Sequence, residues 1–388
     1  MGSVAFPIRV RGGEVLAMLR PGRLPAGRNL NFLMLWTILL TPLTAGGTLS
    51  AQSPLWMMNF SYSGERIEGT PLAWSENTLC VLARDGRLLY LDRDKASDFR
   101  KTADRFQPFD FPRLKAVVLQ EFGRGFSVTS SSHYIIVGPE GLSDAWKDRL
   151  ENLFRAATRY FSTRGFPLRK PDFLLPAVIC PTWESFQRTA ARQGVHLPPG
   201  TLGFYDRLSN RILLWDVGSG RPEDRDGINV LVHEGFHQWA FNVGFHDRVN
   251  PPPLWVAEGA ATLFESAGVF GADPYRSANG RVHPARLAAF KSVRAAGDRA
   301  GWLREIVLRD APFRENPPAA YAEAWAAVFY FTEREPNKFI AYLRAINGKP
   351  SDGISERDRE AQFTAIFGSN WVQLETQIGR FLSTLRAE

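Results

Sequence analysis

The sequence predicts an α+β protein, with a small β module in front and a larger mixed domain whose second half is helical. Three observations carry this. Two short apolar runs, residues 79–83 and 88–91, flank Arg84-Asp85-Gly86-Arg87. Strand-like and helix-like stretches then alternate between residues 134 and 215. Beyond residue 224 the apolar spacing is mainly helical. Strands and helices followed by helices alone is the order of an α+β domain with a helical lobe.

The elements follow in order. Residues 32–43 read FLMLWTILLTPL, with basic residues before them and small or polar residues after. That is the layout of a secretory signal peptide, and the run is short for a membrane span. Residues 1–51 are therefore expected to be removed on export to the periplasm or the exterior, leaving no stable membrane insertion. An uncleaved anchor is the alternative. The chain carries 47 Lys and Arg against 40 Asp and Glu, a net charge of +7. Arg9, Arg11, Arg20, Arg23 and Arg28 against Glu14 place +4 of this in the leading segment. The remaining +3 gives little reason to expect a nucleic-acid partner, and no nucleic-acid motif or basic aromatic stripe is present.

Residues 60–95 read as the small, SH3-like β module. Asp85-Gly86 between its two apolar runs is a hairpin signal, expected as a type I′ turn. The module either packs on the main domain or serves as an adaptor. Residues 96–114 are charged, contain Pro108 and Pro112, and read as a linker. The main domain is expected over 115–388, with a strand at 134–137, a helix at 144–161, a strand at 173–180, a helix at 182–193 and a hairpin around 206–210. Cys80 and Cys180 are the only cysteines. They are too few for a disulfide framework or a cysteine metal site, and read as buried thiols or one disulfide.

The chemistry concentrates in Val232-His233-Glu234-Gly235-Phe236-His237. On a helix, His233 and His237 lie one turn apart on the same face. Two imidazoles so placed can hold one zinc ion, with Glu234 beside them to act on water. Gly244 supplies a C-terminal stop. A third ligand is needed. Val243 stands where a third histidine of the metzincin pattern would be, which excludes that class. The next candidate is Glu258, on a helix expected over 254–267 and started by Pro251, Pro252 and Pro253. Gly259, Ala260 and Ala261 would let that helix pack closely on the first. A surface role for Glu258 is the competing reading.

An HExxH helix followed by one bearing Trp255-x-x-Glu258-Gly259-x-Ala261 resembles the gluzincin clan of zinc metallopeptidases, over roughly residues 115–388 and most nearly its secreted bacterial members. The resemblance implies a zincin-like fold, Zn2+ as cofactor, His233, His237 and Glu258 as ligands, Glu234 as general base and a peptide or protein substrate. It also implies that Thr201–Asp206 is an edge strand on which an extended substrate pairs. Tyr321 resembles the clan's downstream oxyanion donor, and a core tyrosine is the competing reading. His283 and then His246 are the other candidates for that role. Thr262 and Glu265 share the helical face of Glu258 and could orient a histidine. Some clan members carry an acid at the position of Thr262, so the orienting partner stays open. A zinc amidase acting on a cell-wall amide and a zinc-binding interaction protein are the alternative functions.

Overall fold

Val178 and Cys180 point to one side of their strand, Ala177 and Ile179 to the other, and all four are buried. A strand buried on both faces belongs inside a sheet covered by helices on both sides. The computed structural model has that arrangement. It describes residues 15–19, 56–123, 125–142, 144–198, 200–216, 225–270, 277–295, 300–348 and 354–386.

In chain order the strands are β1 (Val15–Leu19), β2 (Met57–Tyr62), β3 (Glu65–Trp74), β4 (Thr78–Ala83), β5 (Leu88–Asp92), β6 (Ala96–Ala103), β7 (Phe126–Ser130), β8 (Tyr134–Pro139), β9 (Leu175–Cys180), β10 (Thr201–Asp206) and β11 (Arg211–Trp215). The earlier helices are α1 (Phe111–Phe122), α2 (Ala145–Ser162), α3 (Trp183–Arg192), α4 (Arg225–Asn242), α5 (Leu254–Phe264) and α6 (Ala267–Phe270). The later ones are α7 (Pro284–Ala295), α8 (Trp302–Leu308), α9 (Pro312–Glu315), α10 (Pro317–Arg334), α11 (Pro336–Ile346), α12 (Glu356–Phe367) and α13 (Trp371–Ser383). The protein is thus mixed α+β, with two sheets and a helical second half.

The main sheet runs β1-β10-β11-β9-β8-β7. β11, β9 and β8 are parallel, and the flanking pairs are antiparallel. Leu114, Val118 and Phe122 of α1 and Phe186 of α3 cover one face. α2 and α4 cover the other, where Ile136, Ile212 and Leu214 meet Leu150, Leu153 and Leu231. α5 and α10 pack on each other, and α5 on α4, so the helical lobe continues from the helix that lies against the sheet.

The second sheet runs β5-β4-β3-β2-β6 and is wholly antiparallel. Two expectations change here. Residues 96–103, read as linker, form its outer strand β6, paired with β2. Six of the eight residues of β6 are exposed, so the strand lacks the apolar alternation that marks a half-buried one. The start of α1 takes the end of that stretch, with Asp110 capping the Arg113 N–H at 3.0 Å. The turn at Asp85-Gly86 is not type I′. Of its residues only Gly86 has positive φ (86°), and its N–H reaches the Ala83 carbonyl at 3.0 Å. Those features describe a type I turn closed by a glycine bulge.

Cys80 and Cys180 are both free and buried, in separate clusters. Val15–Leu19, inside the expected signal segment, pairs antiparallel with β10. The apolar run 32–43 and the expected cleavage point lie outside the described residues. Among the described residues no helix is long and apolar enough to cross a membrane.

Candidate metal centre

α4 carries the motif through the middle of the protein. Leu231, Phe236, Trp239 and Ala240 are fully buried on it, and it ends at Asn242, just before Gly244 with φ 81°. A helix apolar on nearly every side has no solvent-facing stripe, so its polar side chains must find partners inside. His233, Glu234 and His237 are all buried.

Glu258 comes from α5, which Pro253 opens. It is fully buried, so the surface reading is excluded. Gly259 sits beside it, and a Cβ there would lie 2.5 Å from the Ala324 carbonyl oxygen of α10. Gly259 therefore admits α10, while α5 also packs on α4 as expected from sequence. The corresponding close approach on α4 is at Gly235, where a Cβ would lie 2.5 Å from a Leu153 methyl of α2.

The structure brings His233, His237 and Glu258 together. The two Nε2 atoms are 3.2 Å apart. His233 Nε2 is 3.2 Å from Glu258 Oε2, and His237 Nε2 is 3.4 Å from Glu258 Oε1. Ligands held tetrahedrally at zinc–nitrogen bond lengths of about 2.0–2.1 Å are separated by about 3.3–3.4 Å. The three donor groups thus already stand at the edges of a tetrahedral cation site. Their chemistry, two imidazoles and a carboxylate, suits zinc.

Glu265 settles the orienting partner. Its Oε1 is 2.8 Å from His233 Nδ1, and its Oε2 is 3.2 Å from His283 Nε2 and 3.4 Å from Arg286 Nη2. With the proton on Nδ1 held by Glu265, His233 presents the Nε2 lone pair to the converging point. His283 therefore supports Glu265 and does not join the three-ligand group. Thr262 is buried nearby on α5, and its hydroxyl finds no hydrogen-bond partner among the described residues. His246, the other runner-up, is buried against Phe241 and Phe245 with neither ring nitrogen hydrogen-bonded among the described residues. Burial lowers its pKa to about 3, so it is neutral. Neither Arg286 nor the support role of His283 was visible from sequence. Both lie on or just before α7, remote along the chain and outside any local motif.

Tyr321 opens α10 and is buried at the site. Its hydroxyl interacts with Glu258, and the Arg286 guanidinium lies 5.4 Å from its ring centre. Burial, together with Glu258, holds the phenol well above its ordinary pKa, so it remains a proton donor.

Until a cation replaces it, a proton resides on His233. Burial raises Glu234 to about 8. Burial disfavours charge on His233, but hydrogen bonds and charge from Glu258 and Glu265 push it up to about 10. Burial holds His237 well below its ordinary value. Burial would raise Glu265 as well, yet Arg286, His233 and His283 hold it well below the carboxylate range. Glu234, Glu258 and Glu265 gather round His233, whose raised pKa marks a cluster that favours positive charge, and a divalent cation would supply that charge in place of the proton. Glu234 Oε2 accepts the Tyr205 main-chain N–H at 2.8 Å, and its Oε1 has no hydrogen-bond partner among the described residues. One oxygen is thus fixed by the sheet while the other is available for chemistry.

Comparison with known proteins gives limited context. Residues 227–352, which include most of α4 with His233, Glu234 and His237, all of α5, and Glu265, His283 and Tyr321, match the family model described as "Protein of unknown function (DUF1570)". The search of the curated proteins found no match. Among solved structures, the chain is similar to that described as "Structure of yeast LTA4 hydrolase in complex with Bestatin". The identity is 11% and the TM-score 0.38, over 74% of this chain. The match spans 42% of the yeast protein's chain, well under two thirds of its length.

Proposed function

We propose that the protein is a secreted zinc-dependent peptidase of gluzincin type with a zincin-like catalytic domain. The observation that carries this reading is the convergence of His233 Nε2, His237 Nε2 and a Glu258 carboxylate at tetrahedral spacing, with Glu234 alongside. Zinc, when bound, supplies Lewis-acid polarisation of a carbonyl and lowers the pKa of water.

The chain's own residues do the rest. Glu234 accepts a proton at Oε1 and returns it to the departing amine. A buried carboxylate with a pKa near 8 suits a group that must take and give back a proton near neutral pH. Tyr321 donates a hydrogen bond to the developing oxyanion. Glu265 fixes the His233 tautomer. Val15–Leu19 lies outside β10 in the sheet, so β10 is not the edge strand expected from sequence. The substrate backbone pairs along β10 once export has removed that leading strand.

Metal analysis of the whole chain, beside His233→Ala and Glu234→Gln, tests the reading together with a broad peptide-library assay. The expected result is one zinc per unmutated chain, little in His233→Ala and full retention in Glu234→Gln. Hydrolysis by Glu234→Gln should fall by about 100-fold or more. Absence of stoichiometric zinc in the unmutated protein would refute the metal centre. Stoichiometric zinc without cleavage of any peptide would favour the amidase or the non-catalytic binding protein.

A further inference from the structure

The role of the β module can be read from how it meets the main sheet. Arg248, six residues beyond α4, is only 8% exposed. It donates from Nη1 to the Gly86 carbonyl at 2.8 Å, in the turn of the module. From Nη2 it donates to the Arg207 carbonyl at 2.7 Å and the Leu208 carbonyl at 3.4 Å, in the β10–β11 hairpin. A buried guanidinium is costly to desolvate, and here it is spent on main-chain carbonyls of two separate elements. Such a group fixes where one backbone stands relative to the other.

Further contacts cross the same boundary. The Leu88 N–H reaches the Leu208 carbonyl at 2.7 Å. Arg211, fully buried at the start of β11, meets Asp85 of the module at 3.8 Å and is held within the main domain by Glu121 of α1 at 2.6 Å. Leu208 packs with Ala73, Cys80 and Leu88 of the module. A Cβ on Gly86 would lie 2.7 Å from the Phe173 ring, so the turn itself is pressed onto the main domain. These contacts bury the turn and oppose an adaptor role for it.

The hairpin is in turn tied to the zinc helix. Asn210 Oδ1 accepts from the Tyr205 hydroxyl at 2.8 Å and from Asn242 Nδ2 at 2.7 Å. Gln238 Nε2 donates to the Asn210 carbonyl at 2.8 Å. The strand entering this hairpin is β10, whose Tyr205 N–H holds Glu234 Oε2. A polar path therefore runs from the module's turn, through Arg248 and the hairpin, to the residue beside the metal ligands.

We propose that the β module is a brace for the β10–β11 hairpin, with Arg248 as the positioning residue that fixes β10 and its Tyr205 N–H against Glu234. Its consequence for turnover rests on the peptidase reading, whereas its consequence for the hairpin does not.

Hydrogen exchange on the full chain separates the two. Arg248→Met keeps the stem and removes the donors. It should speed exchange of the 203–210 amides by about tenfold or more, with little change in β9 and with zinc content intact. Asp85→Asn, milder and on the module side, should shift the same amides less. Val81→Ala, in the module's own core, should lower the thermal midpoint without singling out the hairpin. In a peptide assay Arg248→Met should cost about tenfold in kcat/KM and Arg248→Lys should recover part of it. Unchanged exchange at 203–210 in both Arg248→Met and Asp85→Asn would overturn the brace. So would acceleration spread equally over β9, or the same local pattern in Val81→Ala. If Arg248→Met does not fold, Asp85→Asn decides by the same criterion. Lack of any peptide cleavage by the unmutated protein would remove only the peptidase reading.

Discussion

Glu258 and Glu333 are both carboxylates on helices of the same lobe, and both are largely hidden from solvent. Their surroundings are opposite. Glu333 meets Arg164 at 2.5 Å, Arg281 at 2.5 Å and the Tyr160 hydroxyl at 2.8 Å. Burial would raise its pKa, yet Arg281 and Arg164 hold it low. Glu258 faces two imidazole Nε2 atoms, with Glu234 and Glu265 close by. Its pKa is raised, chiefly by burial. A carboxylate that belongs to the architecture is given permanent cations. Glu258 is given other donors and more negative charge, which is how a protein leaves room for a cation from outside.

Four substitutions test how real that contrast is. Glu258→Gln should raise the zinc dissociation constant by more than about 100-fold, as read by competition with a chromophoric chelator. Unaltered affinity would erase the distinction between the two carboxylates. Tyr321→Phe should lower kcat by about 100-fold while zinc content stays constant, which would separate an oxyanion donor from a core tyrosine. Equal turnover would return Tyr321 to the core. Glu265→Gln should weaken zinc binding by about tenfold, because His233 loses the acceptor that fixes its tautomer.

The smallest effect belongs to the satisfied carboxylate. Glu333→Gln should leave zinc untouched and lower stability by about 1–3 kcal/mol at neutral pH, measured by urea unfolding. The sign of its pH dependence is set by the depressed folded-state pKa. The contribution is fully present above the ordinary value of 4.5 and is lost as pH falls through the lower folded value. The gap between variant and parent should therefore close in acid. A gap that widened in acid would contradict the ion-pair assignment.

How much of this was legible in the sequence depends on how local each feature is. His233, Glu234 and His237 were readable because helical spacing alone fixes their common face. Glu258 could be placed on a helix by its flanking prolines, and Glu265 by its seven-residue offset on the same face. The support of Glu265 by His283 and Arg286 was not readable, since α7 arrives through tertiary packing. The small residues after Glu258 announced a close approach but could not name α10 as the partner. β6 is not legible in the sequence because an outer strand with both faces largely exposed carries a loop's composition. Asp85-Gly86 marks a hairpin in the sequence but does not select its turn type, since the pair is compatible with both geometries.

Gly259 ties these threads together. It has no side chain to offer, yet it sets how near the backbone of α10 can lie to α5. Glu258 is its immediate neighbour on α5, and Tyr321 is three residues before Ala324 on α10. One added methyl would wedge the two helices apart. The tyrosine hydroxyl would be carried away from the ligand carboxylate without either residue being altered. The reach of the Tyr321 hydroxyl toward Glu258 is thus dictated by an absent side chain, and a chemically silent position can set the geometry next to it.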